Sequence, residues 1–265
     1  TSKMSILNIT TIQTDLTWEN KIENLKMFSE KIAAIEEPTE IVVLPEMFST
    51  GFSMNPAALA ETMEGDTFNW MKETAMQEKI ILTGSIIIEE EGKYFNRLIW
   101  MLPNGQFASY DKRHLFAFAG EHNNYTAGNK RLIASVKGWK INLQVCYDLR
   151  FPVWARQQAA GNLPEYDVLI YVANWPERRS HAWKTLLCAR AIENQCYVMG
   201  VNRVGNDGNG IYHSGNTMVI DPLGEVLYHL KDEEDCFTIS LEKEHLQQVR
   251  EKFPFWKDGD NFKIY

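Results

Sequence analysis

Cys146, Glu46 and Lys112 are the residues whose types and positions could together perform chemistry. Each follows a run typical of a β-strand: Ile-Val-Val-Leu-Pro precedes Glu46, Phe-Ala-Ser-Tyr-Asp precedes Lys112, and Lys-Ile-Asn-Leu-Gln-Val precedes Cys146. A thiol at a strand end can be held clear of the sheet, where a carboxylate can take its proton and an ammonium can stabilise an oxyanion. A nucleophile, a base and a fixed cation are the groups needed for acyl transfer from an amide.

Composition limits the classes of protein to which the chain can belong. The 265 residues are 45% hydrophobic, which fits one folded domain over residues 1–265 rather than a disordered chain. The net charge of −8 argues against nucleic acid as a partner. No apolar run is long enough to span a membrane or to act as a signal peptide, so a cytoplasmic protein is expected. The four cysteines show no CxxC or Cys/His spacing, and we expect neither a metal site nor an organic cofactor.

Hydrophobic spacing predicts the elements that must position these groups. Apolar residues recur at helical spacing over residues 17–36 and 180–194, and a proline at 152 suits the first turn of another helix. Continuous apolar runs at 41–44 and 167–173 are typical of buried strands. Helices and strands alternate, but hairpin signals interrupt the alternation. The pattern therefore predicts mixed sheets rather than a purely parallel one.

Three blocks around the chemical groups resemble the signature blocks of the nitrilase superfamily, carbon–nitrogen hydrolases with a Glu-Lys-Cys triad. They are Leu-Pro-Glu-Met-Phe at 44–48, Tyr-Asp-Lys-Arg-His-Leu-Phe at 110–116 and Val-Cys-Tyr-Asp-Leu-Arg-Phe-Pro at 145–152. The resemblance extends over nearly the whole chain, and the tail at 253–260 is similar to the bacterial omega-amidase branch. It implies an α/β fold, a four-layer α-β-β-α sandwich of two mixed sheets.

The resemblance also implies a role for each group. Glu46 would take the proton of Cys146, protonate the leaving ammonia and later activate water against a thioester on Cys146. Lys112 and the backbone N–H of Tyr147 would stabilise the tetrahedral oxyanion. Glu121 matches a second glutamate of the family, which is expected to orient Lys112 or the substrate amide.

The omega-amidase branch implies a small-molecule amide substrate. Such a substrate is the monoamide of a dicarboxylate, such as 2-oxoglutaramate or succinamate, and it releases ammonia. Its free carboxylate needs a cation if it is buried. The candidates for substrate binding in the segment after strand 167–173 are Asn174, Trp175, Arg178 and Arg179. Trp175 would form a pocket wall, and one of the two arginines would pair with the carboxylate.

Other interpretations remain open at this point. Arg150 or Arg203 could bind the carboxylate instead, although Arg150 is expected to form a structural ion pair with Asp148. The activity could be that of a nitrilase, an N-carbamoyl-amide hydrolase or an ammonia-supplying glutaminase, or the chain could be a silent binding protein on the same fold. Family resemblance further implies a homodimer, formed through the helices that begin near Pro152 and Ser180 and through the C-terminal tail.

Overall fold

The strands form two mixed sheets in the computed structural model, which describes residues 5–160 and 163–265. Elements are numbered in chain order. The first sheet has the spatial order β15 (Asp235–Glu242), β1 (Ile6–Gln13), β2 (Ile41–Val43), β3 (Ile81–Glu90), β4 (Lys93–Met101) and β5 (Phe107–Asp111). The second has the order β12 (Val204–Asn206), β13 (Tyr212–Ile220), β11 (Tyr197–Val201), β10 (Val168–Val172), β7 (Trp139–Val145) and β6 (Leu132–Val136), and β14 (Val226–Lys231) also pairs with β13. A short ribbon pairs β8 (Ala159–Ala160) with β9 (Leu163–Pro164).

Helices connect and cover these sheets. They are α1 (Lys21–Ala33), α2 (Pro56–Leu59), α3 (Asp66–Glu78), α4 (Glu121–Asn124), α5 (Pro152–Ala155), α6 (Ser180–Asn194) and α7 (Lys243–Lys252). Short 3₁₀ helices cover Ala117–Ala119, Cys146–Arg150, Glu177–Arg179 and Phe255–Asp258. Across the described ranges, each helix is too short or too polar to cross a bilayer.

Alternation of side chains along the strands produces the layers. Ile41 and Val43 of β2 face the second sheet, where they join Ile141 and Leu143 of β7 in one core. The intervening Val42 points to the opposite face. Because side chains alternate across a strand, one buried strand can serve two different cores.

Helices bury the two outer faces of the sheets. On the first sheet, Val42 packs in a cluster with Phe28 of α1 and Met71 of α3. On the second, Leu169 of β10 packs in a cluster with Leu187 of α6. The order of layers is therefore helix, sheet, sheet, helix, and the predicted α-β-β-α sandwich is confirmed.

The strand directions bring particular loops to one edge. In the first sheet β2 is parallel to β3, and two antiparallel steps through β4 make β5 run in the same direction. In the second sheet β10 is parallel to both β7 and β11. The carboxyl ends of β2 and β5 therefore meet at one edge, and those of β7, β10 and β11 meet at one edge of the other sheet.

The helix expected from Pro152 is present as the single turn α5. It ends at Ala155, and Arg156 has left the helical region, with ψ of 121°. The backbone N–H of Gln157 donates to Asn194 Oδ1 at 2.8 Å, and its side-chain Oε1 accepts from the backbone N–H of Tyr166 at 2.7 Å. These long-range bonds hold the chain out of a helix after Ala155.

Candidate active site

Cys146 lies directly after β7 and begins the 3₁₀ helix Cys146–Arg150. Its φ of +45° is in the left-handed region, which is uncommon for a residue with a side chain. Such conformations persist only where the surrounding structure imposes them, and they cluster at functional sites. The side chain is partly exposed and lines a cavity.

Lys112 lies directly after β5 and is held between two carboxylates. Its Nζ atom is 2.9 Å from Glu46 Oε1 and 2.9 Å from Glu121 Oε2, and all three side chains are fully buried. Glu121 is the first residue of α4, and its Oε2 also accepts from the backbone N–H of Phe116 at 2.6 Å. The structure thus brings together the predicted cation and both predicted carboxylates.

Glu46 receives donors from both sheets. Besides Lys112, its Oε1 accepts from Asn96 Nδ2 at 2.8 Å, while its Oε2 accepts from the backbone N–H of Asn174 at 2.9 Å. The Asn174 side chain also donates to the backbone carbonyl of Glu46. Because Asn174 follows β10 of the second sheet, the orientation of the Glu46 carboxylate depends on how the two sheets pack.

The protonation states follow from burial and from these neighbours. Burial raises the pKa of the Cys146 thiol, Glu46 raises it further through its charge and a hydrogen bond, and Lys112 opposes them. Burial alone would lower the pKa of Lys112, but Glu121 and Glu46 outweigh it and raise that pKa. Burial also raises the pKa of Glu121, against the effect of Lys112. The site therefore holds a neutral thiol beside a charged ammonium, and the thiol needs a base to become a nucleophile.

A cavity of about 530 Å³ opens onto Cys146 and Lys112. The predicted substrate-binding residues all line it: Tyr147, Asn174, Trp175, Arg178 and Arg179. Glu46 and Glu121 lie behind this lining, where they contact Lys112 rather than the open space.

Asn202, which follows β11, fixes the Trp175 wall of this cavity. Its Oδ1 accepts from the Trp175 backbone N–H at 2.8 Å, and its Nδ2 donates to the Trp175 carbonyl at 2.9 Å. The indole Nε1 of Trp175 donates to the Arg179 carbonyl at 2.8 Å. The tryptophan is therefore held rigidly beside the arginine segment.

Three arginines of the cavity are available to an anionic ligand. Arg150, Arg178 and Arg179 form no ion pair with any Asp or Glu in the described part of the chain, and Arg150 lies over the Trp175 ring at 4.9 Å. Burial, Arg178 and Arg150 lower the pKa of Arg179, which a bound anion would counter. The alternative Arg203 does not line the cavity, because its Nη2 is bound to Asp15 Oδ1 at 2.6 Å.

The expected ion pair between Asp148 and Arg150 is wrong. The buried Asp148 carboxylate accepts from Tyr110 Oη at 2.7 Å and from the backbone N–H of Val145 at 3.0 Å. Its other oxygen accepts from the backbone N–H of His114 at 3.0 Å and lies 2.7 Å from His114 Nδ1. Asp148 therefore connects the segment that carries Cys146 to the segment that carries Lys112, and Arg150 is left facing the cavity.

Asn96 is a residue of the site that the sequence did not indicate. It lies in β4, is fully buried, and its Nδ2 donates both to Glu46 Oε1 and, at 3.2 Å, to Glu121 Oε1. Its backbone carbonyl accepts from the backbone N–H of Lys112 at 3.0 Å. A strand asparagine between Phe95 and Arg97 carries no local signal of these contacts.

Within the described ranges, no three His, Cys, Asp or Glu side chains are grouped as metal ligands would be.

Comparison with known proteins identifies the family. Residues 8–251 match the carbon–nitrogen hydrolase family. Omega-amidase YafV of Escherichia coli (strain K12) is 44% identical over 261 residues, which cover 98% of this chain and 99% of that protein. The 2-oxoglutaramate amidase of Bacillus subtilis (strain 168) is 32% identical over 253 residues, or 94% of this chain and 96% of that one.

A solved structure gives the same result. XC1258 from Xanthomonas campestris, a CN-hydrolase superfamily protein with an arsenic adduct in its active site, matches this fold with a TM-score of 0.97 and 41% identity. The match covers 99% of this chain and 100% of that one. Since both family and fold agree over almost the full length, the prediction from the three sequence blocks is confirmed, and the chain is an enzyme of the carbon–nitrogen hydrolase family, within the nitrilase superfamily.

Proposed function

We propose that this hydrolase is an omega-amidase, which removes the terminal amide from the monoamide of a small dicarboxylic acid. The observation that carries the proposal is one cavity lined both by the Cys146 thiol and by Arg150, Arg178 and Arg179, which have no carboxylate partner among the residues that the structure describes. An acyl-transfer nucleophile and a site for an anion in the same cavity fit a substrate with an amide at one end and a carboxylate at the other. The similarity to YafV and to a 2-oxoglutaramate amidase supports this substrate class.

The first chemical step in this proposal is proton transfer from Cys146 to Glu46. Burial and Glu46 raise the pKa of the thiol, so the resting enzyme holds it neutral. Transfer to Glu46 keeps the total charge of the buried cluster constant while it creates the thiolate. The thiolate then attacks the amide carbon, and the carbonyl π electrons move to oxygen.

Lys112 and the backbone N–H of Tyr147 are proposed to stabilise that oxyanion. The two carboxylates at 2.9 Å keep Lys112 protonated and fixed, so little reorganisation is needed when negative charge develops. Tyr147 is the second residue of the 3₁₀ helix, at a helix start where N–H groups lack intrahelical partners. Loss of one donor of this kind typically lowers the rate by about 10²–10³.

The proton on Glu46 is then delivered to the amide nitrogen as the C–N bond breaks. Ammonia leaves and Cys146 keeps the acyl group as a thioester. Glu46, ionised again, takes a proton from water as the water oxygen attacks the thioester carbon. The C–S bond then breaks, the dicarboxylate leaves, and Glu46 returns the proton to the Cys146 thiolate. Glu46 thus acts alternately as base and acid, while Glu121 stays paired with Lys112 and positions it.

The arginine cluster is proposed to select the other end of the substrate. A guanidinium can bind a carboxylate through two parallel hydrogen bonds. An α-ammonium beside that carboxylate would be placed among the same three cations and would be repelled. We therefore expect 2-oxoglutaramate and succinamate to be better substrates than L-glutamine.

Ammonia release from a matched set of compounds tests the proposal. Succinamate and 2-oxoglutaramate are compared with butyramide, which has the length of succinamate but no carboxylate, and with L-glutamine, 3-cyanopropanoate and an N-carbamoyl compound. Charged hydrogen bonds contribute about 1.5–3 kcal/mol, so kcat/KM for succinamate should exceed that for butyramide by roughly 10- to 100-fold. Cys146→Ala should be inactive on all of them.

Other outcomes select other activities. A wild type that prefers butyramide contradicts the omega-amidase proposal but not the family. Preference for the nitrile, the carbamoyl compound or L-glutamine supports a nitrilase, a carbamoyl-amide hydrolase or a glutaminase. A protein that binds succinamate without turnover is a silent binding protein.

We further propose a single-domain cytoplasmic enzyme that works without a metal or cofactor and as a homodimer. Dimerisation is supported by the large apolar side chains that α6 and the neighbouring segments expose, among them Ile192, Leu223 and Phe255. Light scattering after gel filtration tests this: Ile192→Glu should convert a dimer into a monomer, and a monomeric wild type contradicts it.

A further inference from the structure

Asn96 is the neutral donor that the two buried carboxylates of the site share. Its Nδ2 is 2.8 Å from Glu46 Oε1 and 3.2 Å from Glu121 Oε1. The remaining oxygens accept from different backbone groups: the N–H of Asn174 serves Glu46 and the N–H of Phe116 serves Glu121. In the described part of the chain, only Lys112 otherwise contacts both carboxylates through side-chain bonds.

The charges explain why a second shared donor is needed. Two carboxylates with one ammonium leave the cluster with one excess negative charge, and all three side chains are removed from solvent. A buried carboxylate without enough donors takes up a proton instead. Glu46 must be ionised to remove the thiol proton, so hydrogen bonds to its anionic form have a direct consequence for chemistry.

We propose that Asn96 is a positioning residue that keeps Glu46 ionised in the resting enzyme and fixes its carboxylate, an inference that rests on the proposed function. Hydrogen bonds to an anion favour the anionic form. The same bonds fix the position from which the carboxylate exchanges a proton with Cys146 and with departing ammonia.

Other charged and titratable groups around Glu46 come from several elements, and an Asn96 variant keeps all of them. They are Lys112 after β5, Glu121 on α4, Cys146 after β7 and Tyr125 after α4. A difference between the pH profiles of the wild type and an Asn96 variant therefore reports the loss of the Asn96 donor to the two carboxylates.

Asn96→Leu removes the donor with a side chain of similar size, and Asn96→Ser is a second variant that disturbs packing less. Asn142→Leu is the matched control, because Asn142 is also a buried strand asparagine but its side chain has no hydrogen-bond partner in the described residues. The measurement is the pH dependence of kcat/KM with the best amide substrate. We expect the acidic limb of the kcat/KM profile of Asn96→Leu to lie about one pH unit higher than that of the wild type. Activity at low pH should fall more than activity at high pH, and the control should keep the wild-type limb.

A purely structural role for Asn96 makes a different prediction. The kcat/KM values of Asn96→Leu and Asn96→Ser would then fall by the same factor at every pH, and the acidic limb of the pH profile would not move. That result would overturn the proposal. If Asn96→Leu does not fold, Asn96→Ser decides by the same criterion. If the wild type hydrolyses no amide, the proposed function fails, and the role of Asn96 is tested without turnover by infrared titration of the carboxylate bands. Asn96 variants should then take up a carboxyl proton at higher pH than the wild type. Identical titrations would overturn the inference.

Discussion

The backbone N–H of Asn174 donates to Glu46 Oε2 at 2.9 Å, and the Asn174 side chain donates back to the Glu46 carbonyl. Glu46 follows a strand of the first sheet and Asn174 follows a strand of the second. Two adjacent loops, each from a different sheet, therefore fix each other. The position of the proposed base depends on the packing of the whole sandwich.

Arg179 should contribute to the preference for an anionic substrate. Its guanidinium lines the cavity and lies over the Phe116 ring at 5.0 Å. A negative charge on Cys146 would raise the pKa of Arg179, which shows that the two side chains are near each other. Arg179→Leu should lower kcat/KM for succinamate by roughly 10- to 100-fold and change that for butyramide much less. Arg113→Leu is the matched control, since Arg113 stacks on Trp154 outside this cavity. Equal losses for both substrates would show that Arg179 does not bind the carboxylate, and Arg150 or Arg178 would then be tested in the same way.

The Cys146 thiol should titrate above the usual cysteine value of about 8.5. Burial raises its pKa, and the charge and hydrogen bond of Glu46 add to this effect. Iodoacetamide alkylation of Cys146, followed by peptide mass spectrometry across pH, measures the thiolate, and free cysteine alkylated at the same pH values serves as the reference. Glu46→Gln removes the negative charge but keeps Lys112, so it should lower the apparent pKa of Cys146 while it abolishes turnover. A wild-type thiolate already formed near pH 7 would mean that Lys112 alone activates the nucleophile.

Asp148 should couple stability to activity. Its carboxylate accepts hydrogen bonds from Tyr110 and from the backbone on either side of the site, and Asp148→Asn replaces one acceptor oxygen with a donor. The free energy of unfolding in urea should fall by about 1–3 kcal/mol, and kcat should fall as the Cys146 and Lys112 segments separate. Tyr110→Phe removes one of these bonds and also those that Tyr110 Oη accepts from Trp154 Nε1 and the Arg113 N–H, so it should lower stability as well. It should lower kcat less, because Asp148 keeps its backbone donors. Normal kcat in Asp148→Asn would exclude a positioning role.

His213 should make the protein less stable in acid. Burial lowers the pKa of His213 to about 4, with Arg203 adding to the effect, against about 6.5 for an ordinary histidine. Between these values the unfolded chain binds a proton that the folded protein does not. The contribution of His213 to stability is therefore complete above pH 6.5 and is lost as the pH falls toward 4.

Urea unfolding of His213→Gln at several pH values measures this contribution. From pH 7 to pH 4 the wild type should lose about 3 kcal/mol more than the variant. His122→Gln is the control, because His122 is exposed on α4. Parallel curves for the wild type and His213→Gln would show that His213 has the same pKa in the folded and unfolded states.

Local sequence predicted the strands that carry the site better than the contacts within it. The apolar runs at 41–44 and 167–173 correspond to β2 (Ile41–Val43) and β10 (Val168–Val172), because buried strands need continuous hydrophobic residues. The helix predicted over 17–36 is α1 (Lys21–Ala33). Its N-cap is Asn20, whose side chain accepts from the backbone N–H of Glu23. Periodicity identifies such elements but does not give their ends.

Residues with long-range partners could not be predicted in this way. Asn96 reaches Glu46 across 50 positions of the chain, and Asp148 reaches Tyr110 across 38. The ion pair expected between Asp148 and Arg150 rested on proximity in sequence, whereas Asp148 makes four contacts, three of them with Tyr110 and His114 of another segment, and Arg150 lines the cavity. Tertiary packing decides such contacts, and family resemblance indicated the loops but not these partners.

Amide hydrolysis is proposed to proceed through a thioester on Cys146. Rapid acid quench during turnover of succinamate, followed by digestion and mass spectrometry, detects such an intermediate. We expect an acyl group on the peptide that contains Cys146, which appears during turnover, disappears when substrate is exhausted and never forms in Cys146→Ala. Full turnover by Cys146→Ala, or an acyl group that accumulates during turnover only on a different residue, would contradict it.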